Sequence, residues 1–161
     1  MTPGILVLAL VTAERLFELW LSNLNTSRLL AEGAVEYGRR HYYLLVAVHV
    51  LWLASLWWLT PGKPVNFFWL AVYLLLEVGR AWVFTTLGSR WTTRIIVLPD
   101  APLVSGGPYR WVNHPNYVIV VCEIAVLPLV FGFWDLALIF SVLNAVALIV
   151  RIREENRALG R

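Results

Sequence analysis

Residues 105–155 read SGGPYRWVNHPNYVIVVCEIAVLPLVFGFWDLALIFSVLNAVALIVRIREE, and this stretch decides the fold. A short polar loop opens two apolar runs, which we predict as helices at about 116–130 and 136–150. Both runs are short for independent membrane spans, but a helical hairpin returns the chain to the face it left. The sequence therefore predicts that His114 and Glu155 lie on the same face of a membrane.

The chain as a whole is too apolar for an ordinary soluble domain. Of its 161 residues, 60% are hydrophobic and 14% are charged, whereas soluble domains are about half apolar and about a quarter charged. The apolar residues form runs long enough to cross a bilayer. We therefore predict an integral membrane protein with a single domain, 1–161.

Three further apolar segments precede the hairpin. They predict helices at about 4–21, 42–59 and 66–87. The fold is thus an all-α helical bundle of about five transmembrane helices. Residues 22–41 are predicted as a polar connection with a short surface helix around 27–31. In the long polar segment 85–113, residues 94–98 alternate enough to form a short extended piece.

Two early helices carry polar residues that lipid disfavours. Glu14, Arg15 and Glu18 are interpreted as an interfacial cluster near the end of the first helix, with a partner helix or polar cavity as the alternative. His49 in the second helix is interpreted as a packed, hydrogen-bonded core residue rather than a proton carrier.

The later helices carry charges as well. Glu77 and Arg80 are three positions apart, which predicts an internal ion pair, with Glu77 in a ligand pocket as the alternative. Glu123 should face protein or a cavity. We predict that it pairs with Asn144, and a role in a cofactor pocket is the alternative.

The basic residues predict the topology. With five helices, the arginines fall on one face and the opposite loops hold Lys63. The positive-inside rule then makes the arginine-rich face cytoplasmic, with the N-terminus outside and the C-terminus inside. The arginines on this face are Arg28, Arg39, Arg40, Arg90, Arg94, Arg110, Arg151, Arg153, Arg157 and Arg161.

Other classes of protein fit poorly. The single cysteine, Cys122, lies in an apolar run and is interpreted as a buried small hydrophobe. No Cys/His cluster has the spacing of metal ligands, so no metal is expected. The basic residues lie between apolar runs, which fits topology and anionic lipid better than nucleic acid.

The polar loop and the end of the hairpin meet in the predicted fold. Taken alone, NHPNY at 113–117 indicates a helix start with Pro115 in its first turn, and Arg151 with Glu155 is typical of a surface pair. Their convergence beside apolar walls instead indicates a pocket with an apolar half and a charged half.

GPYRWVNHPNY, followed by an apolar hairpin and RIREEN, resembles the isoprenylcysteine carboxyl methyltransferase family. These small integral-membrane enzymes are related to the phospholipid methyltransferases. Asn113 stands where the family usually has arginine, and Ile119 stands where it has glycine. These departures make the chain similar to a bacterial branch, some members of which resemble O-methyltransferases of long-chain phenolic lipids. The matching residues are Gly107, Pro108, Tyr109, His114, Pro115, Tyr117, Glu154 and Glu155.

The resemblance implies S-adenosylmethionine as methyl donor, bound at about 105–157 without a soluble Rossmann domain, in a protein of the bacterial inner membrane. A carboxylate offsets the positive charges of this cofactor in a partly dry site. That role is implied for Glu154 or Glu155. The implied cofactor-binding residues are Gly107, Tyr109, His114, Pro115, Tyr117 and Glu154.

The implied acceptor is lipid-like, and its reacting oxygen decides the catalytic roles of Arg151 and Glu155. An isoprenylcysteine-type carboxylate is already ionised, so Arg151 would orient it. A phenol such as an alkylresorcinol has a pKa near 10 and needs a base, for which Glu155 or His114 is the candidate. The alternative of another class is a non-catalytic membrane subunit or a small transporter, which would depend on polar residues at mid-membrane.

Overall fold

The computed structural model describes residues 2–99 and 101–160, so Asp100 in the long polar segment and Arg161 among the predicted cytoplasmic arginines lie outside the described residues. The described residues form five α-helices, which confirm the predicted all-α bundle with a hairpin at its end. They are α1 (Pro3–Ala31), α2 (Arg39–Leu59), α3 (Phe67–Leu87), α4 (Pro115–Val130) and α5 (Trp134–Ala158). In this part of the chain α2, α3 and α5 are long and apolar enough to cross a membrane, while α4 is a shorter apolar helix of 16 residues.

The first helix is longer than the sequence predicts. α1 continues without a break through the first half of the predicted polar connection at 22–41, so the prediction of a connection is wrong there. The helix predicted around 27–31 is present, as the last part of α1 rather than as a separate helix. Polar side chains in this part of α1 have partners across the fold. The Ser22 hydroxyl lies 2.8 Å from that of Thr93, and the Asn25 amide donates to the Trp91 carbonyl at 2.8 Å. Polar residues that are satisfied in this way need not end a helix.

A small antiparallel sheet lies between the helices at the arginine-rich end. β1 (Val35–Tyr37) pairs with β2 (Ile95–Val97), which confirms the extended piece predicted at 94–98. Its partner strand lies in the segment predicted as a polar connection. Gly38 follows β1 with φ +62, a left-handed conformation that glycine adopts without steric penalty, and the chain enters α2 at the next residue.

The last helix is also longer than predicted. The sequence predicts a short run at 136–150, but α5 has 25 residues and continues through the charged RIREEN segment. Arginine, glutamate and alanine are good helix formers. In addition, Arg157 pairs with Glu154 one turn earlier at 2.9 Å. The C-terminal charges therefore lie on a continuous helix that begins on the opposite side of the bundle.

A proline inside α4 is compensated by a tryptophan of α2. Pro128 has no N–H, so the carbonyl of Ile124 cannot receive the usual helical bond from residue 128. The indole N–H of Trp52 donates to this carbonyl at 3.2 Å, and Trp52 is almost completely buried. This bond fixes the position of α4 along α2.

Contacts at the two ends of the bundle define its two faces. At one end the Asn66 N–H donates to the Val130 carbonyl at 2.8 Å, which joins the start of α3 to the end of α4. At the other end Arg28 and Arg151 both donate to the segment that follows α3, at 2.7 and 2.6 Å. The two arginines thus lie at the same end of the bundle, as the predicted topology requires.

Candidate active site

Four residues of the predicted site meet where α4 begins and α5 ends. The Tyr117 hydroxyl donates to Oε2 of Glu155 and accepts a hydrogen bond from Nε of Arg151 at 2.7 Å. Nδ1 of His114 lies 3.8 Å from Oε1 of Glu155. We call His114, Tyr117, Arg151 and Glu155 the outer cluster. Its contacts confirm that the hairpin brings His114 and Glu155 to one face.

Helix geometry explains this placement. Pro115 occupies the first position of α4, where its missing N–H does no harm, so Tyr117 lies in the first turn. Arg151 and Glu155 are four positions apart on α5 and therefore share one side of it. The His114 ring stacks on the Tyr117 ring, with 5.4 Å between the ring centroids. A turn, a helix start and a helix end thus converge on one point.

Arg151 has an unusual environment for a buried cation. The residue is 7% exposed, and its Nη2 donates to the Thr93 carbonyl at 2.6 Å. Among the described residues it makes no ion pair, because Glu155 reaches it only through the Tyr117 hydroxyl. A buried guanidinium group without a carboxylate partner is suited to bind an anion.

A cavity of about 440 Å³ extends from the outer cluster into the bundle. This volume lies within the range of small-molecule sites. The outer end is lined by Tyr109, Asn113, His114, Tyr117, Arg151 and Glu155. The apolar middle is lined by Leu19, Leu45, Val46, Val120 and Leu148. The inner end is lined by Arg15, Glu18, His49 and Arg80. The cavity therefore has the predicted apolar part, but it is charged at both ends.

Three of the residues implied for cofactor binding lie outside the lining of this cavity. Gly107 (φ +53) begins a 3-10 helix, Gly107–Arg110, at a point with no room for a side chain. Pro115 is buried at the start of α4. Glu154 pairs with Arg157 at 2.9 Å. The two neighbouring glutamates of α5 thus differ, since Glu155 lines the cavity and Glu154 does not.

Tyr109 joins the outer cluster at the cavity wall in its protonated form. Burial, and then the negative charge of Glu155, raises the pKa of Tyr109 to about 12. The phenol is therefore neutral near pH 7, where it can donate a hydrogen bond but cannot act as a base.

Three residues near the site were missed by sequence reasoning. Asn116 lines the cavity, and its buried Oδ1 has no hydrogen-bond partner among residues 2–99 and 101–160. The Thr93 carbonyl holds Arg151, and Oδ1 of Asn156 lies 3.0 Å from Nε2 of His114. Asn116 lies within NHPNY, where a helix start explains its presence equally well. Thr93 and Asn156 belong to no motif.

A second polar group lies among the helices at the inner end of the cavity. Arg15 pairs with Glu18 at 2.9 Å, with Glu77 at 3.2 Å and with Glu123 at 3.3 Å. Arg80 pairs with Glu18 at 3.1 Å and donates to both carboxylate oxygens of Glu123. We call this set the inner cluster. Its members are Glu14, Arg15, Glu18, Glu77, Arg80 and Glu123.

The inner cluster corrects two predictions. Glu14, Arg15 and Glu18 do not lie at a helix end, because α1 continues well beyond them. The predicted pairing of Glu123 with Asn144 is also wrong. Glu123 binds arginines of two other helices, and both amide atoms of Asn144 lack a partner in the part of the chain that is described. Opposite charges outcompete an amide as partners for a buried carboxylate.

Two other predictions for the helices are confirmed. Glu77 and Arg80 form the predicted ion pair, at 3.7 Å. His49 is hydrogen-bonded as predicted, with its Nδ1 2.9 Å from the Leu45 carbonyl oxygen. It is also part of the cavity wall, which the sequence reading did not foresee.

Comparison with known proteins gives one family match and two similar relatives. The profile of the isoprenylcysteine carboxyl methyltransferase (ICMT) family matches residues 69–161. The chain is 37% identical to the uncharacterized protein YpbQ of Bacillus subtilis (strain 168), over 96% of this chain and 95% of the relative. An uncharacterized protein of Haemophilus influenzae is 27% identical, over 94% of this chain and 92% of the relative. The family match contains the whole outer cluster, whereas the part of the inner cluster on α1 precedes it.

Proposed function

The chain belongs to the isoprenylcysteine carboxyl methyltransferase family, and on this premise we propose that it transfers a methyl group from S-adenosylmethionine to an oxygen atom of a lipid-like acceptor. Membership supports a membrane methyltransferase, and the length and hydropathy of α2, α3 and α5 agree with a place in the membrane. The proposal puts the outer cluster at the cytoplasmic face of a bacterial inner membrane, because the arginines gather there.

One observation carries the proposal. Arg151 and Glu155 are held on either side of the Tyr117 hydroxyl, at the end of a cavity with an apolar middle. The site therefore offers a positive and a negative group side by side. An anionic acceptor and a cationic methyl donor carry the complementary charges, and holding two reactants in line is most of what methyl transfer requires.

The outer end of the cavity fits the chemical groups of S-adenosylmethionine. Glu155 offers a carboxylate to its positive charges, and Tyr109 with His114 offers aromatic faces to its adenine ring. The orphaned Oδ1 of Asn116 offers an acceptor to an amino group. When bound, this cofactor supplies an electrophilic methyl group. We assign the charge-balancing role to Glu155 rather than to Glu154.

The surroundings of Arg151 favour a carboxylate acceptor, because a carboxylate needs no base and matches an unpaired guanidinium group. Arg151 then orients the acceptor, and Tyr117 fixes the direction of the guanidinium group. A phenolic lipid is the second acceptor class. It is favoured by the proximity of His114 and Glu155, at 3.8 Å, since a phenol must give its proton to a base.

Binding of S-adenosylmethionine to the purified protein in detergent tests the site. Glu155→Gln keeps the shape of the side chain and removes its charge. We expect a roughly 10- to 100-fold loss of affinity, since a hydrogen bond to a charged group contributes about 1.5–3 kcal/mol. His114→Ala should also weaken binding. Glu154→Gln is the matched control and should bind like the wild type. Equal binding by all variants, or none by any, would overturn the assignment.

The dependence of the rate on pH distinguishes the two acceptor classes. A carboxylate is ionised throughout the neutral range, so the rate should be flat from about pH 6 to 9. A phenol with a pKa near 10 becomes more reactive as it ionises, so the rate should rise with pH. Initial rates in a buffer series at constant ionic strength provide the measurement.

A small transporter is the candidate function of another class, and the charges of the inner cluster favour it. Transport would depend on Glu77, Glu123 and His49, whereas methyl transfer would depend on the outer cluster. Incorporation of a labelled methyl group into a lipid extract, lost in Arg151→Ala, supports the enzyme. A wild-type protein that incorporates no label into any lipid fraction would support the transporter.

A further inference from the structure

The inner end of the cavity is polar, which a pocket for a plain hydrocarbon tail does not require. Beyond the apolar middle, the wall includes the polar side chains of Arg15, Glu18, His49 and Arg80, beside apolar ones such as Leu16 and Trp52. An alkyl or prenyl tail placed there would cover the second ring nitrogen of His49 without giving it a hydrogen-bond partner, which is unfavourable. The inner end therefore suits a polar group of the ligand better than a terminal methyl group.

His49 offers a hydrogen-bond acceptor to this space. Its Nδ1 lies 2.9 Å from the Leu45 carbonyl oxygen, which can only accept, so Nδ1 carries the proton. In the neutral ring the lone pair is then on Nε2, and this nitrogen makes no hydrogen bond to any residue that the structure describes. The ring meets Trp52 edge to face, with 6.4 Å between the centroids, which restrains its orientation.

The inner cluster lies beside His49, and its charges are mostly paired with one another. Its six members comprise four carboxylates and two guanidinium groups, a formal charge of −4 + 2 = −2 when all are ionised. Most of the guanidinium donors are directed at these carboxylates, as the bonds of Glu18 to Arg15 (2.9 Å) and Arg80 (3.1 Å) illustrate, whereas the buried Nε of Arg15 has no partner among the described residues. Of the four carboxylates, Glu18 is the one that lines the cavity, and it already accepts hydrogen bonds from both arginines. The free acceptor in this part of the wall is therefore Nε2 of His49, and its complement is a ligand group that donates a hydrogen bond.

We propose that the acceptor substrate carries a hydrogen-bond donor, a hydroxyl or an amino group, at the end remote from the oxygen that is methylated. The proposal rests on the proposed function, because methyl transfer defines which end reacts. Tyr42 bonds Thr93 beside the outer cluster, and His49 lies seven residues further along α2. At about 1.5 Å per residue, His49 lies about 10 Å further into the bundle than Tyr42. The substrate is thus elongated and polar at both ends.

Three fatty acids of equal chain length test this inference: dodecanoate, ω-hydroxydodecanoate and ω-aminododecanoate. Equilibrium dialysis measures the binding of each labelled acid to the wild type and to His49→Phe in the same detergent. S-adenosylmethionine is left out, so the result does not depend on methyl transfer. Dialysis of the same micelles without protein measures the partition of each acid, and this blank is subtracted before the three acids are compared.

On the wild type, at least one of the two polar chains should bind roughly 5- to 100-fold more tightly than dodecanoate, because the plain chain leaves Nε2 of His49 without a partner. Tighter binding of ω-hydroxydodecanoate indicates that the site prefers a neutral donor. Tighter binding of ω-aminododecanoate indicates that it prefers a cationic donor. His49→Phe should reduce this preference. His41→Phe, at an exposed position of the same helix, is the matched control and should retain it.

Equal or tighter binding of dodecanoate, or no binding of any of the three acids, would overturn the inference. So would a preference for the polar chains that His49→Phe leaves unchanged. The comparison of the three acids on the wild type requires no variant and stands even if His49→Phe does not fold. Cofactor binding is measured separately on the same preparations. If cofactor binding fails while the preference for the polar chains is intact, the result counts against the proposed function and not against the polar inner end.

Discussion

The outer and inner clusters contain the same kinds of residue and treat their charges differently. In the inner cluster Arg80 is 5% exposed, and it bonds Glu18 and Glu123 directly. In the outer cluster Arg151 is equally buried, yet it bonds a phenol and a backbone carbonyl. Burial alone therefore does not distinguish a structural charge from a functional one. The partner does, because a charge already paired holds helices together, whereas an unpaired one is left for a ligand.

The largest effect is expected when the inner cluster is broken. Arg80→Leu leaves Glu18 and Glu123 buried with one arginine fewer, which should lower the free energy of unfolding by about 3–5 kcal/mol. Thermal unfolding in detergent measures the loss. Arg157→Ala is the matched control, since the Arg157 side chain is 76% exposed in its pair with Glu154 and should contribute little. If Arg80→Leu and Arg157→Ala were equally stable, the structural role that we assign to the inner cluster would be wrong.

An intermediate effect is expected when the phenol between the charges of the outer cluster is removed. Tyr117→Phe takes away the partner that Arg151 and Glu155 share. Hydrogen bonds to charged groups contribute about 1.5–3 kcal/mol, so kcat/KM for methyl transfer should fall roughly 10- to 100-fold. Tyr43→Phe, at an exposed position of α2, should keep the wild-type rate. If Tyr117→Phe kept the wild-type activity and unfolded as easily as Arg80→Leu, the outer cluster would have the structural role that we assign to the inner cluster.

The smallest effect concerns Tyr109 and alkaline stability. Burial and the charge of Glu155 raise the pKa of Tyr109 from 10 to about 12, so the folded protein favours the neutral phenol. The resulting stabilisation is complete below about pH 10 and is lost as the pH rises through about 12. Tyr109→Phe lacks this dependence, so above pH 10 the thermal midpoint of the wild type should fall relative to that of the variant. A difference in midpoint that stays constant with pH would show that the phenol is not buried.

Sequence reasoning found the outer cluster because neighbours along the chain determine it. The hairpin, the helix start in NHPNY and the charged end of α5 bring His114 to Glu155 whatever the detailed packing. The inner cluster depends instead on pairs such as Arg80 with Glu123, 43 positions apart, and Arg15 with Glu123, 108 positions apart. No local spacing encodes such pairs, so they become visible only when the helices are packed.

The length of α1 was unpredictable for the same reason. Ser22 and Asn25 look like the start of a polar connection, since a bilayer disfavours unpaired polar groups. Their partners lie 71 and 66 positions away, in the segment that follows α3. The ion pair that local spacing predicted between Glu77 and Arg80 does form, but at 3.7 Å it is longer than the bonds of Arg80 to distant glutamates.

The bond from Trp52 to the Ile124 carbonyl has a consequence for biogenesis. In hydrocarbon an unsatisfied backbone carbonyl is strongly unfavourable, so a short helix with Pro128 in it is a poor span by itself. Its Glu123 likewise needs the arginines of α1 and α3. All of these partners precede α4 in the chain and are synthesised before it. We therefore expect α4 to insert late, against helices that are already in the bilayer, and the outer cluster at its first turn to assemble only after them.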